Sequence, residues 1–265
     1  MLAETTPHPP FGHLLPQGEK GRTERTLHKK IRQMRLTERH VGYLRPEDPS
    51  EDMPPPPPGL RATAPDDYRR TIDTLLGPDR DHDEVWIFAY GSLIWKPACD
   101  FVEMRTGRVH GWHRSFCLGW NNRFRGSDAN PGLMLALDRG GACNGVLYRL
   151  PPGRIDEAMT KLLEREMGWL PSPFPPRWVN VRSGDRVIRA ITFCIDRHSG
   201  RYVSGLSIDA IAEVLATAVG SRGSMAEYLF ATVRHLEDMG IHDPHLWQLQ
   251  SLVADRIEAA YEPDR

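Results

Sequence analysis

The feature that most constrains this chain is the run Val85-Trp86-Ile87-Phe88-Ala89-Tyr90-Gly91-Ser92-Leu93. Its six leading residues are all apolar or aromatic. Set off by the acidic stretch at 81–84, they fit a strand buried on both faces. The run then breaks into Gly91-Ser92, where side chains nearly vanish and backbone N–H groups can turn outward. Such a strand-to-turn edge can hold a carboxylate or a polarised carbonyl oxygen on main-chain donors. Tyr-Gly-Ser also occurs in plain turns, so the tripeptide alone leaves both readings open.

A second feature lies further along. After Pro151-Pro152-Gly153, residues 154–167 carry helical periodicity, with Ile155, Met159, Leu162 and Leu163 on one face. Continued by one turn, that face meets Glu166 rather than another apolar residue. Glu157 and Glu164 fall on the wet side, where Glu157 can pair with Lys161. The helix therefore aims one carboxylate inward. Burial raises the pKa of an unpaired carboxyl, and a general base or acid working near neutral pH needs that environment. A structural ion pair with Arg165 or Arg177, or simple exposure at the helix end, accounts for the same pattern.

Charge and cysteine usage narrow the class. In 265 residues, 34 Lys and Arg stand against 35 Asp and Glu, a net charge of −1, so nothing global points to nucleic acid or an anionic membrane as partner. No apolar run approaches the ~20 residues of a transmembrane helix. Cys99, Cys117, Cys143 and Cys194 form no Cys-x-x-Cys pair, which argues against a zinc ribbon, a redox motif and a disulfide scaffold. They read as small buried hydrophobes in a reducing cytoplasm. The pairs His110/His113 and His242/His245 lack acidic or cysteine partners in a ligand pattern, so no metal site is expected.

Thirteen of the 23 prolines fall in residues 1–80, with five consecutive at 54–58. The reading is a Pro-rich N-terminal extension over 1–80 that contributes no core. Within it, residues 1–26 are expected to be disordered, residues 27–44 to form a short basic helix or stay unfolded, and residues 54–58 to make a stiff spacer. Translation starting at Met34 or Met53 is a further possibility. From 81 to 262 the signals are dense. Strands are expected at 85–90, 108–118, 132–138, 142–149, 177–182 and 187–195, and helices at 154–167, 208–219, 224–238 and 245–261. Ser224 and Glu227 have capping-box spacing, and Asp243-Pro244 opens the last helix. Strands first and helices later predict an α+β domain.

These residues together resemble the ChaC family of γ-glutamylcyclotransferases, in its glutathione-specific branch. The resemblance rests on Phe88-Ala89-Tyr90-Gly91-Ser92-Leu93-Ile94-Trp95, Gly111-Trp112-His113-Arg114-Ser115-Phe116, Arg125-Gly126 with Pro131-Gly132, and Gly145-Val146-Leu147-Tyr148-Arg149-Leu150. Glu164-Arg165-Glu166-Met167, Pro176-Arg177-Trp178 and Ala226-Glu227-Tyr228-Leu229 complete it, in matching order over some 170 residues. Many relatives carry Asn where this chain has Met225, which leaves any polar contact from that position in doubt.

The resemblance implies a mixed sheet forming a small, mostly antiparallel barrel with surrounding helices. It implies cleavage of glutathione to 5-oxoproline and cysteinylglycine, with no metal or organic cofactor. Glu166 corresponds to the essential glutamate. The substrate-binding set is Ile87, Phe88, Ala89, Tyr90, Gly91, Ser92 and Leu93, with Tyr228. Arg114 and Arg177 are candidates for clamping a substrate carboxylate, and Trp86, Trp95, Trp112 and Trp120 for core or pocket wall. Three rival readings remain: another γ-glutamyl amine or dipeptide as substrate, a non-catalytic glutathione-binding protein, and an interaction protein docking through its Pro-rich arm.

Overall fold

The structure, a computed structural model, describes residues 33–47, 49, 56–57, 59–77 and 84–263. A short helix α1 (Glu38–Gly42), a two-residue strand β1 (Arg61–Ala62) and helix α2 (Pro65–Leu76) precede the apolar run. The run becomes β2 (Trp86–Ala89) and ends in a 3-10 turn, Ser92–Ile94. Then come β3 (Glu103–Asn121), β4 (Gly132–Arg149), α3 (Ile155–Glu166), β5 (Trp169–Leu170), β6 (Pro176–Ser183) and β7 (Arg186–Phe193). Helix α4 (Ile208–Thr217), the small strands β8 (Val219–Gly220) and β9 (Gly223–Ser224), α5 (Met225–Asp238) and α6 (Pro244–Tyr261) complete the chain.

Five strands close a barrel in the order β2-β4-β3-β6-β7. Strand β2 pairs antiparallel with β4 and parallel with β7, and every other pairing is antiparallel. Side chains alternate across β2 as the pleat requires. Trp86 and Phe88 join the barrel interior with Leu137, Leu147, Val181 and Ile188. Ile87 and Ala89 face the larger core shared with the helices, among them Leu162, Leu215, Leu229 and Val253. Burial on both faces follows from barrel closure and helix cover; the α+β class is as the sequence pattern predicts, and the small barrel as the family resemblance implies.

Residues 132–138 and 142–149, read from the sequence as two strands, are one. Arg139 pairs with Trp112 and Ala142 with His110, so Gly140 and Gly141 together oppose Gly111. Two residues facing one is a β-bulge. Both glycines of β4 take the positive φ that bends the strand without ending it, at 104° and 65°. The helices fall where periodicity puts them. Ser224 caps α5 through Glu227 N–H at 3.1 Å, and Asp243 caps α6 through Leu246 N–H at 3.1 Å.

The N-terminal boundary needs correction. Residues 34–265 form one compact unit, and Leu36, Leu44, Tyr68, Ile72 and Leu76 all belong to its main core. The Leu36 N–H donates to Gln250 Oε1 at 2.8 Å, and His40 Nε2 meets Glu258 Oε1 at 3.0 Å, fastening the segment to α6. Strand β1 pairs with β5, and Trp178 Nε1 donates to Leu75 O at 2.9 Å. Helix α2 carries its own signals: Pro65 at the first turn, Asp67 accepting from Ala64 N–H at 2.9 Å, and Tyr68 and Ile72 one turn apart. Proline content outweighed them in the sequence reading. The basic helix expected over 27–44 is confined, among described residues, to α1. The disorder expected at 1–26 and most of the 54–58 spacer lie outside the described residues.

A chain starting at Asp81 therefore loses five core side chains. At roughly 1.5–3 kcal/mol each, they rival the ~5–15 kcal/mol net stability of a domain. The expected outcome is loss of the cooperative thermal transition by circular dichroism, while a chain starting at Met34 keeps it. Equal melting of the two truncations would refute the packing of this segment.

Candidate active site

The end of β2 is pinned from below. Arg114, on β3 and almost fully buried, donates from Nε to Tyr90 O at 2.6 Å and from Nη2 to Asn144 O at 2.7 Å. Its Nη1 pairs with Asp243, the same carboxylate that caps α6. Past that fixed carbonyl the backbone turns. Ile94 N–H donates to Gly91 O at 2.9 Å and Lys96 N–H to Ser92 O at 2.8 Å. Among the described residues no carbonyl or side chain accepts from the N–H groups of Gly91, Ser92 and Leu93. These three donors open a turn in the way a helix N-terminus does.

Glu166 is the last residue of α3, on the face already defined by Met159, Leu162 and Leu163. Its side chain is 16% exposed, and Arg165 Nε lies 3.3 Å from its Oε1. Burial pushes the Glu166 carboxyl above the usual glutamate range, and the Arg165 charge pulls in the opposite direction. Arg165 also donates to Ser92 Oγ at 3.1 Å and to Lys96 O, so it ties the carboxylate's helix to the 91–96 turn. Glu164 is exposed, and Glu157 pairs with Lys161 at 2.8 Å, as the helical wheel requires.

Tyr228 comes from α5, set by the Ser224 cap one turn earlier. Its hydroxyl lies 3.1 Å from where a Cβ on residue 91 would sit, so glycine there keeps the tyrosine against the turn. Trp95 meets its ring edge-on at 6.1 Å, and Arg125 lies over its face at 5.8 Å. Burial raises the phenol pKa of both Tyr90 and Tyr228, and the nearby Glu166 charge raises them further. Both therefore stay protonated donors across the physiological range.

Tyr90, Gly91, Ser92, Leu93, Glu166 and Tyr228 thus line one cavity of about 950 Å³. Three residues of the sequence-predicted set do not. Ile87, Phe88 and Ala89 are buried in the barrel and helix cores, with no surface to offer a ligand. Arg114 is corrected likewise: each of its three side-chain nitrogens donates to a protein acceptor, so it positions Tyr90 rather than clamping a substrate. Arg177 stands off the cavity over Trp112, at 5.2 Å. Of the tryptophans, Trp95 walls the cavity, Trp86 is core, Trp112 is half-buried and Trp120 is exposed.

Sequence reasoning missed Arg125 as a site residue. It donates to Glu227 Oε2 at 2.6 Å and to Ser224 O at 3.1 Å beside Tyr228. No local spacing links residues 125 and 227, so only the fold brings them together. Among the described residues no group of three His, Cys, Asp or Glu can hold a metal ion, and no helix is long and apolar enough to cross a membrane. Cys117, Cys143 and Cys194 are buried, and burial lifts the Cys117 and Cys194 thiols to about 12.

Comparison with known proteins adds to this geometry. The family model described as ChaC-like protein matches residues 85–256. Over 167 residues the chain is 41% identical to the glutathione-specific gamma-glutamylcyclotransferase of Escherichia coli (strain K12), covering 63% of this chain and 71% of that protein. It is 29% identical over 196 residues to glutathione-specific gamma-glutamylcyclotransferase 1 of Mus musculus, covering 71% and 86% respectively. Among solved structures, a yeast gamma-glutamyl cyclotransferase specific to glutathione shares the fold, with TM-score 0.60, 21% identity, and coverage of 68% of this chain and 100% of that one.

The elevated Glu166 pKa predicts a pH-dependent stability effect. A carboxyl whose pKa is higher folded than unfolded favours folding fully below the unfolded value, about 4.3, and loses that contribution as pH rises through the folded value. Glu166→Gln carries no charge at any pH. It should melt with the wild type near pH 4 and above it at pH 8. A variant that melts below the wild type at pH 8 would mean that the Arg165 pair outweighs desolvation.

Proposed function

The chain belongs to the ChaC-like family, and from that membership and the site geometry we propose that it cleaves glutathione by intramolecular cyclisation, releasing 5-oxoproline and cysteinylglycine. The observation that carries the reading is the placement of a buried carboxyl of raised pKa, Glu166, on the same cavity as the three uncommitted N–H groups of residues 91–93.

In this reaction the substrate's own α-amine attacks its γ-amide carbonyl and closes a five-membered ring. The nucleophile is already tethered, so the protein's main task is to fold the substrate into attack geometry. Glu166 takes a proton from the amine as the C–N bond forms. It then returns a proton to the cysteinyl nitrogen as the amide C–N bond breaks. A carboxyl whose pKa burial raises above the ordinary glutamate range suits both transfers. Negative charge develops on the carbonyl oxygen, and the N–H groups of Gly91, Ser92 and Leu93 supply donors for it. The Tyr228 hydroxyl, packed against Gly91, stays protonated and stands as a further donor. Arg165 fixes the distance between base and turn. No serine or cysteine nucleophile takes part, in keeping with thiols held protonated by burial. The free cysteines also suit a reducing compartment, and we place the protein in the cytoplasm with a small-molecule substrate and neither nucleic acid nor membrane as partner.

The test is direct. Purified protein given reduced glutathione should release 5-oxoproline and cysteinylglycine in equal amounts, at a rate unchanged by EDTA. Glu166→Gln should lower kcat by about 10²–10⁴-fold, the usual contribution of a general acid–base group. Glu164→Gln, on the exposed face of the same helix, should keep the wild-type rate. Normal turnover by Glu166→Gln, or loss in Glu164→Gln, would remove Glu166 from the mechanism.

A further inference from the structure

The family match begins at residue 85, yet the cavity is not completed by the matched region alone. Val41, Leu44, Arg45, Pro46 and Leu60 also line it. This wall is anchored rather than draped. Leu44 is buried in the main core, His40 is held by Glu258, and Glu38 meets Arg234 of α5 at 3.0 Å. Described residues that precede the matched region, Val41, Leu44, Arg45, Pro46 and Leu60 among them, therefore form part of the cavity wall.

The charges on the cavity distinguish its cations. Arg125 is taken by Glu227 and Ser224 O, and Arg165 by Glu166, Ser92 and Lys96 O. Arg201 donates to Gly119 O and Trp120 O, while Lys96 and Arg222 have partners of their own. Arg45 is exposed, and among the described residues it makes no ion pair or hydrogen bond.

Glutathione, the substrate proposed above, carries a carboxylate at each end. The γ-glutamyl end is committed to the 91–93 turn and Glu166. The glycyl carboxylate then lies on the order of 10 Å away along an extended tripeptide, out of reach of that turn. We propose that Arg45 binds this second carboxylate and that the wall formed by residues 38–46 thereby sets the preference for the leaving dipeptide. A guanidinium presents a planar fork that matches a carboxylate in two hydrogen bonds. The inference rests on glutathione being the substrate.

The experiment compares wild type and Arg45→Ala on two substrates, glutathione and glutathione with its glycyl carboxylate converted to the amide. For glutathione, Arg45→Ala should raise KM about tenfold with kcat within about twofold, the pattern of lost ground-state binding. For the amide, the two proteins should share one KM. Arg45→Lys should recover part of the loss. An unchanged KM for glutathione, or an equal rise for both substrates, would overturn the assignment, the latter because it reports a disturbed wall rather than a lost carboxylate contact. A wild type inactive on both substrates would overturn the proposed reaction itself and this inference with it.

Discussion

The site depends on the Arg114 guanidinium. It lies inside the protein and joins three parts of the chain distant in sequence: the end of β2 through Tyr90 O, β4 through Asn144 O, and the start of α6 through Asp243. A buried charge is costly unless paired and hydrogen-bonded, and each of the three nitrogens of this guanidinium donates to a protein acceptor. The consequence is a carbonyl at residue 90 that cannot rotate. Past that carbonyl, Gly91, Ser92 and Leu93 line the cavity, and among the described residues their N–H groups have no protein acceptor. Breaking such a pair by removing one partner typically costs about 3–5 kcal/mol, because the other charge is left stranded. The geometry of the 91–93 turn is therefore a property of the whole fold, set by a helix cap more than 100 residues downstream.

Glu166 presents the opposite case, a buried carboxyl with incomplete compensation. Among the described residues its ion-pair partner is the adjacent Arg165, whose guanidinium is shared with Ser92 and Lys96 O. Desolvation dominates, so the pKa rises. The fold holds this cost in place through α3, whose Ile155, Met159, Leu162 and Leu163 fix the helix rotation by burial. A strained electrostatic position at the end of a well-packed helix is where function is expected to depart from stability.

Much of this was legible in the sequence, for identifiable reasons. The period of α3 placed Glu166 inward and Glu164 outward, since helix geometry is local. The run at 85–93 announced a doubly covered strand and its break. The roles of Ile87, Phe88 and Ala89 were overextended, because a motif's residues share a line of sequence while only those past the strand end reach the cavity. In the sequence Arg114 stands only as a candidate carboxylate clamp, because its acceptors, Tyr90 O, Asn144 O and Asp243, are assembled by the barrel and α6. Residues 34–77 were misjudged because composition averages over proline spacers and short packed helices alike. Among the described residues of this segment, Leu36, Leu44, Tyr68, Ile72 and Leu76 are buried in the main core.

The account centres on Glu166 acting as a base from a buried position. The measurement that tests it most directly is the pH dependence of kcat/KM for 5-oxoproline release from glutathione by the intact chain. The account predicts a single ionisation on the acid side, with an apparent pKa above the ~4.3 of an unperturbed glutamate. Activity that stays level down to pH 4 would contradict it, since a carboxyl protonated there has no capacity to accept the amine's proton.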